Sequence, residues 1–179
     1  MGPESVERTV ERLSEQGIDI VRITYPDLIG TERGKDVLVE RLPHVMEHGI
    51  AYCRAVYHTS PQADVVPVPG GLDEGLPDLV IRPDLSTLVP LPWERGVAGC
   101  LGDAFDPRTE QPCPEGPREV VRAAAARLRE LGLTALVGPE LEYFLLEPDG
   151  AGGWKRYDDA PGNVYVAGLK GDRGRHILR

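Results

Sequence analysis

The chain has 179 residues, of which 41% are hydrophobic, so it can bury a core and form one or two domains. Its formal net charge of −9 argues against nucleic acid or an anionic membrane as a partner. No apolar run approaches the roughly 20 residues that span a bilayer, and the charged start lacks a signal-peptide core, so we expect a cytoplasmic protein. Cys53, Cys100 and Cys113 are odd in number and lack C-x-x-C spacing, which favours reduced thiols.

The chain begins with a helix and a hairpin. Apolar residues at spacings of three and four predict an amphipathic helix over residues 3–16. Alternation of apolar and polar residues predicts strands at residues 18–25 and 37–40, separated by the turn residues 26–33. A short helix follows at residues 43–48.

The next part of the sequence is typical of a small mixed sheet. Strand candidates lie at residues 50–56, 79–81, 87–91 and 96–103. Residues 61–77 are a loop rich in proline, glycine and aspartate, without periodicity. Few helices and several short strands indicate an α+β fold.

A second unit begins after residues 106–115, whose proline-rich, polar composition is that of a linker or domain boundary. We therefore place the boundary near Cys113. An alanine-rich pattern predicts a strong helix over residues 117–131. Strand material is then expected at residues 133–137 and 140–146.

The second of these strands carries Glu140 and Glu142, two residues apart in an apolar segment. Successive side chains of a strand point to opposite faces, so both carboxylates would share one face. Like charges at that separation raise one pKa unless a cation lies beside them, and divalent ions prefer oxygen ligands. The pair therefore predicts a Mg²⁺ or Mn²⁺ site. The alternative is that both glutamates lie on a solvated strand face.

Three motifs in this order resemble the amino-terminal part of the glutamine synthetase family. The sequence GPELEYF at residues 138–144 is similar to the family's G-P-E-x-E-F-F strand, RPDLST at residues 82–87 to its P-D-x-S-T segment, and DLIGTERGK at residues 27–35 to its first hairpin with an R-G-K turn. The resemblance implies that Glu140 belongs with the metal that neutralises ATP phosphates. It implies that Glu142 belongs with the metal that binds substrate glutamate.

The same resemblance implies the architecture and the activity. Residues 1–112 would form a β-grasp-like amino-terminal domain with a leading helix, and residues 113–179 the truncated start of the α/β catalytic domain. Family members are ATP-dependent ligases that join ammonia or an amine to glutamate through a γ-glutamyl phosphate. They use Mg²⁺ or Mn²⁺ and assemble as homo-oligomers of stacked rings.

One loop departs from the family pattern. Ammonia-using members carry D-G-S-S after the third strand, and its aspartate helps to bind ammonium. Here residues 57–61 read YHTSP, so His58 stands where that aspartate would align, and Asp64 is a second candidate for the nucleophile-binding loop. The substitution favours a γ-glutamyl-amine ligase acting on a polyamine, ethanolamine or another amine. A glutamine synthetase proper is the alternative.

The sequence stops before the family's remaining metal ligands and ATP-binding arginines. Residues 171–179 are similar to the first turns of an interrupted helix. Because two carboxylates cannot complete two octahedral sites, we expect this chain alone to be inactive. It would then be part of a longer enzyme, or a non-catalytic truncated paralogue that docks on a full-length synthetase or is inert.

Overall fold

The computed structural model describes residues 4–68, 71–140 and 142–157. The chain divides into two compact units, Met1–Ala135 and Leu136–Arg179. The predicted domain boundary near Cys113 concerns the domains of the family and stays a prediction.

In its described residues, the first unit contains a five-stranded sheet and three α-helices. Its strands are arranged in the order β2-β1-β5-β4-β3, with β1 parallel to β5 and the other neighbours antiparallel. The elements are α1 (Val6–Glu15), β1 (Ile20–Pro26), β2 (Glu32–Leu38), α2 (Leu42–His48), β3 (Ile50–Cys53), β4 (Asp78–Pro90), β5 (Val97–Phe105) and α3 (Pro117–Glu130). A first hairpin whose leading strand pairs in parallel with the last strand is the β-grasp arrangement. The prediction of an α+β fold is confirmed.

One face of the sheet forms the hydrophobic core with α1 and α2. Alternate residues of β1, β4 and β5 are buried on this face, as the two-residue period of a strand requires: Val21, Ile23, Tyr25, Leu79, Ile81, Ala98, Cys100 and Ala104. Leu13 of α1 and Leu42 of α2 are fully buried against it. Gly102 lies on the same face. This position requires glycine, because a Cβ there would come within 2.2 Å of the Ile81 Cγ2 atom.

The sheet is strongly curled. β2 and β3 are its two outermost strands, yet the Lys35 ammonium of β2 donates to the Ala51 carbonyl oxygen of β3 at 2.9 Å. The same ammonium lies 4.3 Å from the centroid of the Tyr52 ring. The Tyr52 and Tyr25 rings meet edge to face at 5.0 Å between centroids. These contacts bring the two edges of the sheet together.

Several predicted strand boundaries are wrong. β2 begins at Glu32 rather than at residue 37. The prediction missed the start of β2 because this exposed outer strand is rich in charged residues and lacks the alternation of a half-buried strand. Residues 79–81 and 87–90 belong to one strand, β4, whose register shifts between Asp84 and Val89, and Leu91 lies outside it. Residues 54–57 form a short 3₁₀ helix instead of continuing β3.

The second unit contains a two-stranded sheet, in which β6 (Leu146–Pro148) pairs antiparallel with β7 (Trp154–Arg156). The predicted strand at residues 133–137 is wrong, and the one at residues 140–146 is wrong over its described residues before β6. A strand needs a partner for its backbone groups, and the described part of residues 134–144 makes no backbone hydrogen bond.

Residues 171–179, the expected start of a further helix, lie outside the described residues. Among the helices in the described ranges, none is long and apolar enough to cross a membrane.

Candidate functional site

The two candidate metal ligands, Glu140 and Glu142, lie in the second unit. Both residues are exposed and neither is in a strand. The argument that strand alternation places both carboxylates on one face therefore does not apply to this structure. Within the described residues, neither carboxylate forms an ion pair.

The donor chemistry of this pair fits Mg²⁺ or Mn²⁺ in kind, because both ions prefer hard carboxylate oxygens. The number of donors is too small, since an octahedral ion takes six ligands. No group of three or more histidine, cysteine, aspartate or glutamate side chains is placed to bind a metal in the part of the chain that the structure describes. The metal assignment of Glu140 and Glu142 thus stays a prediction.

The loop that carries His58 and Asp64 is ordered by its own backbone. The His58 N–H donates to the Ala55 carbonyl at 2.8 Å, and the His58 carbonyl accepts from the Val66 N–H at 2.7 Å. The Ser60 hydroxyl oxygen accepts from the Asp64 N–H at 3.3 Å, while the Ser60 N–H donates to the Asp64 carbonyl at 2.8 Å. The loop is therefore a compact turn rather than an open segment.

Within this loop the two candidate side chains have different surroundings. The His58 ring packs against Gly71, where a Cβ would come within 2.8 Å of the His58 Nδ1 atom. That nitrogen is buried and has no hydrogen-bond partner in the described chain. The Asp64 side chain is exposed. His58 and Asp64 share one loop of the first unit, whereas Glu140 and Glu142 belong to the second unit.

The hairpin motif DLIGTERGK is organised by a carboxylate whose role the sequence did not reveal. Asp27 is buried at the end of β1. Its Oδ1 atom accepts from the N–H groups of Ile29 at 3.1 Å and Thr31 at 2.8 Å, and its Oδ2 atom accepts from the Arg33 Nε at 3.0 Å. Burial raises the pKa of Asp27, but the bonds from Thr31, Arg33 and Ile29 lower it overall.

The other residues of the R-G-K turn also have structural roles. A Cβ on Gly34 would lie 2.6 Å from the Ile23 carbonyl oxygen, so only glycine lets β2 approach β1 so closely. Lys35 makes the contacts with β3 described above. The motif therefore determines how the hairpin joins the curled sheet.

The RPDLST motif forms the irregular step in β4. The Asp84 Oδ1 atom accepts from the Ser86 hydroxyl at 2.6 Å, and the Thr87 hydroxyl donates to the Asp84 carbonyl at 2.7 Å. The N–H of Leu101, on the neighbouring strand β5, donates to the Thr87 hydroxyl oxygen at 2.8 Å. These side-chain bonds replace the ladder bonds that the register shift removes.

Comparisons with known proteins identify the class to which this fold and these motifs belong. The chain is 32% identical to a glutamine synthetase of Pyrococcus horikoshii over 136 residues, which cover 75% of this chain and 27% of that protein. It is 31% identical to a glutamine synthetase of Rhizobium meliloti over 76% of this chain and 28% of that protein. No family model matches the chain. Over the matched part, the chain belongs to the glutamine synthetase family, and the resemblance inferred from its motifs is confirmed.

A third relative has a name other than glutamine synthetase. The chain is 34% identical over 149 residues to the gamma-glutamylethanolamide synthetase GlnA4 of Streptomyces coelicolor, a match that covers 80% of this chain and 31% of that protein. The chain thus spans less than a third of the length of each of these three relatives.

Solved structures support the fold. A structure described as apo GmaS without ligand has a TM-score of 0.54 and 24% identity, and it covers 68% of this chain and 26% of its own. A structure described as a novel glutamine synthase homologue has a TM-score of 0.52 and 22% identity over 64% of this chain and 27% of its own. At these identities the likeness concerns the fold alone.

Proposed function

We propose that this chain is part of an ATP-dependent ligase that joins a nitrogen nucleophile to the γ-carboxylate of glutamate. The observation that carries the proposal is the 34% identity to a gamma-glutamylethanolamide synthetase over 80% of this chain. The β-grasp-type sheet and the three motifs in family order support it. The intact enzyme would be a homo-oligomer of stacked rings, with no nucleic acid or membrane as a partner.

The proposed reaction has two steps. The γ-carboxylate of glutamate attacks the terminal phosphorus of ATP, forming γ-glutamyl phosphate and releasing ADP. The nucleophile then attacks the γ-carbonyl carbon, phosphate leaves with the bonding electrons, and the nitrogen gives up a proton. Glu140 and Glu142, with ligands beyond the described chain, would hold Mg²⁺ or Mn²⁺, which would offset the phosphate charge.

The loop from His58 to Asp64 supports an amine rather than ammonia as the nucleophile. The anionic side chain that the family uses for ammonium is replaced by a half-buried imidazole packed on Gly71. An imidazole ring carries no negative charge with which to bind a small cation. A larger amine can be recognised through its carbon chain as well as its charge.

An amine panel tests this activity. The native protein is captured from its own cells with an antibody to the first unit, then supplied with glutamate, ATP and one nucleophile at a time. Faster phosphate release with ethanolamine or a polyamine than with ammonium is expected. Turnover with ammonium alone would identify a glutamine synthetase proper and contradict the amine assignment, and reactions without glutamate measure background ATP hydrolysis.

The metal assignment has a separate test on this chain. Titration with Mn²⁺ should broaden the NMR signals of Glu140 and Glu142 before those of other carboxylates, because the ion is paramagnetic. Glu140→Gln or Glu142→Gln should weaken the broadening. Glu147→Gln is the matched control, because Glu147 lies in the same unit and is paired with Lys155 at 3.2 Å. Equal effects of all three variants would refute the assignment.

We also propose a second candidate function, in which the chain is a non-catalytic module that docks on a full-length synthetase. The intact mass of the captured native protein separates the two. A mass near 19.6 kDa together with co-purification of a longer synthetase favours the module. A much larger mass favours the enzyme.

A further inference from the structure

The proline-rich segment before α3 is fastened to the sheet, although its composition is that of a linker. The Cys113 N–H donates to the Ala104 carbonyl of β5 at 2.9 Å, and the Gly116 N–H donates to the Cys113 carbonyl at 2.9 Å. Cys113 is fully buried in the core. The backbone of this segment therefore continues the first unit.

An arginine beneath this segment ties both of its ends. The Arg54 guanidinium contacts Asp106 at 3.2 Å and Glu115 at 2.6 Å. All three side chains are largely buried, so solvent screens these pairs less than it screens surface pairs. Residues 106–115 consequently have little freedom to act as a spacer.

The first turns of α3 are joined to the sheet by four charged residues, Asp84, Asp103, Arg118 and Arg122, which we name the charge latch. Arg118 contacts Asp84 at 2.6 Å and Asp103 at 2.7 Å, and Arg122 contacts Asp103 at 2.6 Å. Asp84 lies on β4 and Asp103 on β5, so each arginine of the helix reaches the sheet. Burial raises the pKa of Asp103, but the bonds from Arg122 and Arg118 lower it overall.

The hydrogen bonds and ion pairs to the sheet do not continue beyond the end of α3 in the described residues. The Gly132 N–H still donates to the Arg129 carbonyl at 2.9 Å and the Leu133 N–H to the Leu128 carbonyl at 2.9 Å. From there to residue 140 every side chain is exposed, with Leu136 at 96%. Residues 134–140 make no backbone hydrogen bond within the described chain.

We propose that the charge latch makes α3 an integral part of the first unit, so that the chain opens first at residues 133–139 rather than at the proline-rich residues 106–116. The division of the two compact units after Ala135 agrees with this assignment. The inference concerns the opening of the polypeptide and does not depend on the proposed ligase activity.

A glutamate-specific protease tests the proposal, because both segments contain its sites. Glu110 and Glu115 lie in the proline-rich segment, while Glu140 and Glu142 follow α3. The Glu110 side chain is 75% exposed, so surface exposure alone predicts a cut there. Among cuts within residues 106–145, the first should instead follow Glu140 or Glu142, as read from fragment masses. A first cut after Glu110 or Glu115 would overturn the proposal.

The role of the charge latch is tested with a double variant that carries both Arg118→Gln and Arg122→Gln. Cleavage after Glu115 or Glu130 should become at least about tenfold faster, because proteolysis follows the population of the opened helix. Arg127→Gln is the matched control, since Arg127 lies on the same helix and, among the described residues, pairs with Glu130 alone. It should leave the rate at Glu115 unchanged.

Hydrogen exchange distinguishes opening of α3 from loss of the whole fold. In the double variant, amides of α3 should exchange faster while those of β1 and β5 keep wild-type protection. If the sheet also loses protection, the single variant Arg122→Gln is used, because Arg118 then still contacts both aspartates. An unchanged α3 exchange rate with an intact sheet in either variant would refute the latch.

Discussion

Replacing Asp27 by asparagine should loosen the first hairpin while preserving its shape. The Asp27 side chain is 3% exposed and accepts hydrogen bonds from two backbone N–H groups and from Arg33. Both backbone bonds end on Oδ1, which the asparagine carbonyl oxygen can replace. The bonds from Arg33 end on Oδ2, where asparagine places an NH₂ group against the guanidinium donors. The variant therefore removes the charged half of the interaction.

The size of the loss follows from this division. A hydrogen bond to a charged group contributes about 1.5–3 kcal/mol to the free energy of unfolding. Arg33 is 44% exposed and can turn into water once its partner is lost, which reduces the loss. We therefore expect Asp27→Asn to lower the free energy of unfolding by about 1–2 kcal/mol.

The loss should depend on pH with a defined sign. The pKa of Asp27 in the folded chain is lowered, as described above, below the value of roughly 3.9 of an unfolded aspartate. Its stabilisation is complete above the unfolded value and is lost as pH falls through the lowered pKa. The difference between wild type and variant should thus be constant near neutral pH and shrink below about pH 4.

Urea unfolding followed by circular dichroism measures both effects. Asp36→Asn is the matched control, because Asp36 is on the same hairpin but 44% exposed, and its partner Arg22 keeps Glu94 at 2.5 Å. The control should cost less than about 0.5 kcal/mol. A loss for Asp27→Asn no larger than that of the control, or one that does not shrink in acid, would refute the reasoning.

Two further predictions concern the core. Gly102→Ala should lower the free energy of unfolding by about 1–3 kcal/mol, because its Cβ would lie 2.2 Å from the Ile81 Cγ2 atom. Gly138→Ala is the control, since a Cβ there would have no atom within 4 Å, and it should be nearly neutral in thermal denaturation. Burial raises the pKa of Cys100 and of Cys113 to about 11, so iodoacetamide near pH 8 should label exposed Cys53 alone. Rapid labelling of Cys113 in the folded chain would contradict its burial.

The sequence predicted the elements whose local pattern matches their burial. α1 has apolar residues on one stripe and Gly17 at its end, and β1 alternates because one of its faces is in the core. Both patterns are local, so the residues themselves carry the information. Glu140 and Glu142 illustrate the opposite case. Whether their segment is a strand depends on a partner strand elsewhere, and the described chain provides none.

The roles of Asp27 and of the charge latch were also beyond the sequence. Asp84 and Arg118 are 34 positions apart, and only the packing of α3 on the sheet brings them together. The linker-like composition of residues 106–115 is a related case. Proline and polar residues are equally suited to a free spacer and to an edge segment whose N–H groups are bonded locally. Composition does not distinguish the two.

The contact between Lys35 and β3 has a consequence for how the protein behaves at high concentration. Exposed edge strands are templates on which other chains can add strands and aggregate. The Ala51 carbonyl oxygen of the outer strand β3 already accepts a hydrogen bond from the Lys35 ammonium of the opposite edge. The curl thus brings the two exposed margins of the sheet towards each other, and the charged residues of β2 oppose pairing with a second molecule. We expect the shape of this sheet to favour colloidal stability as well as folding.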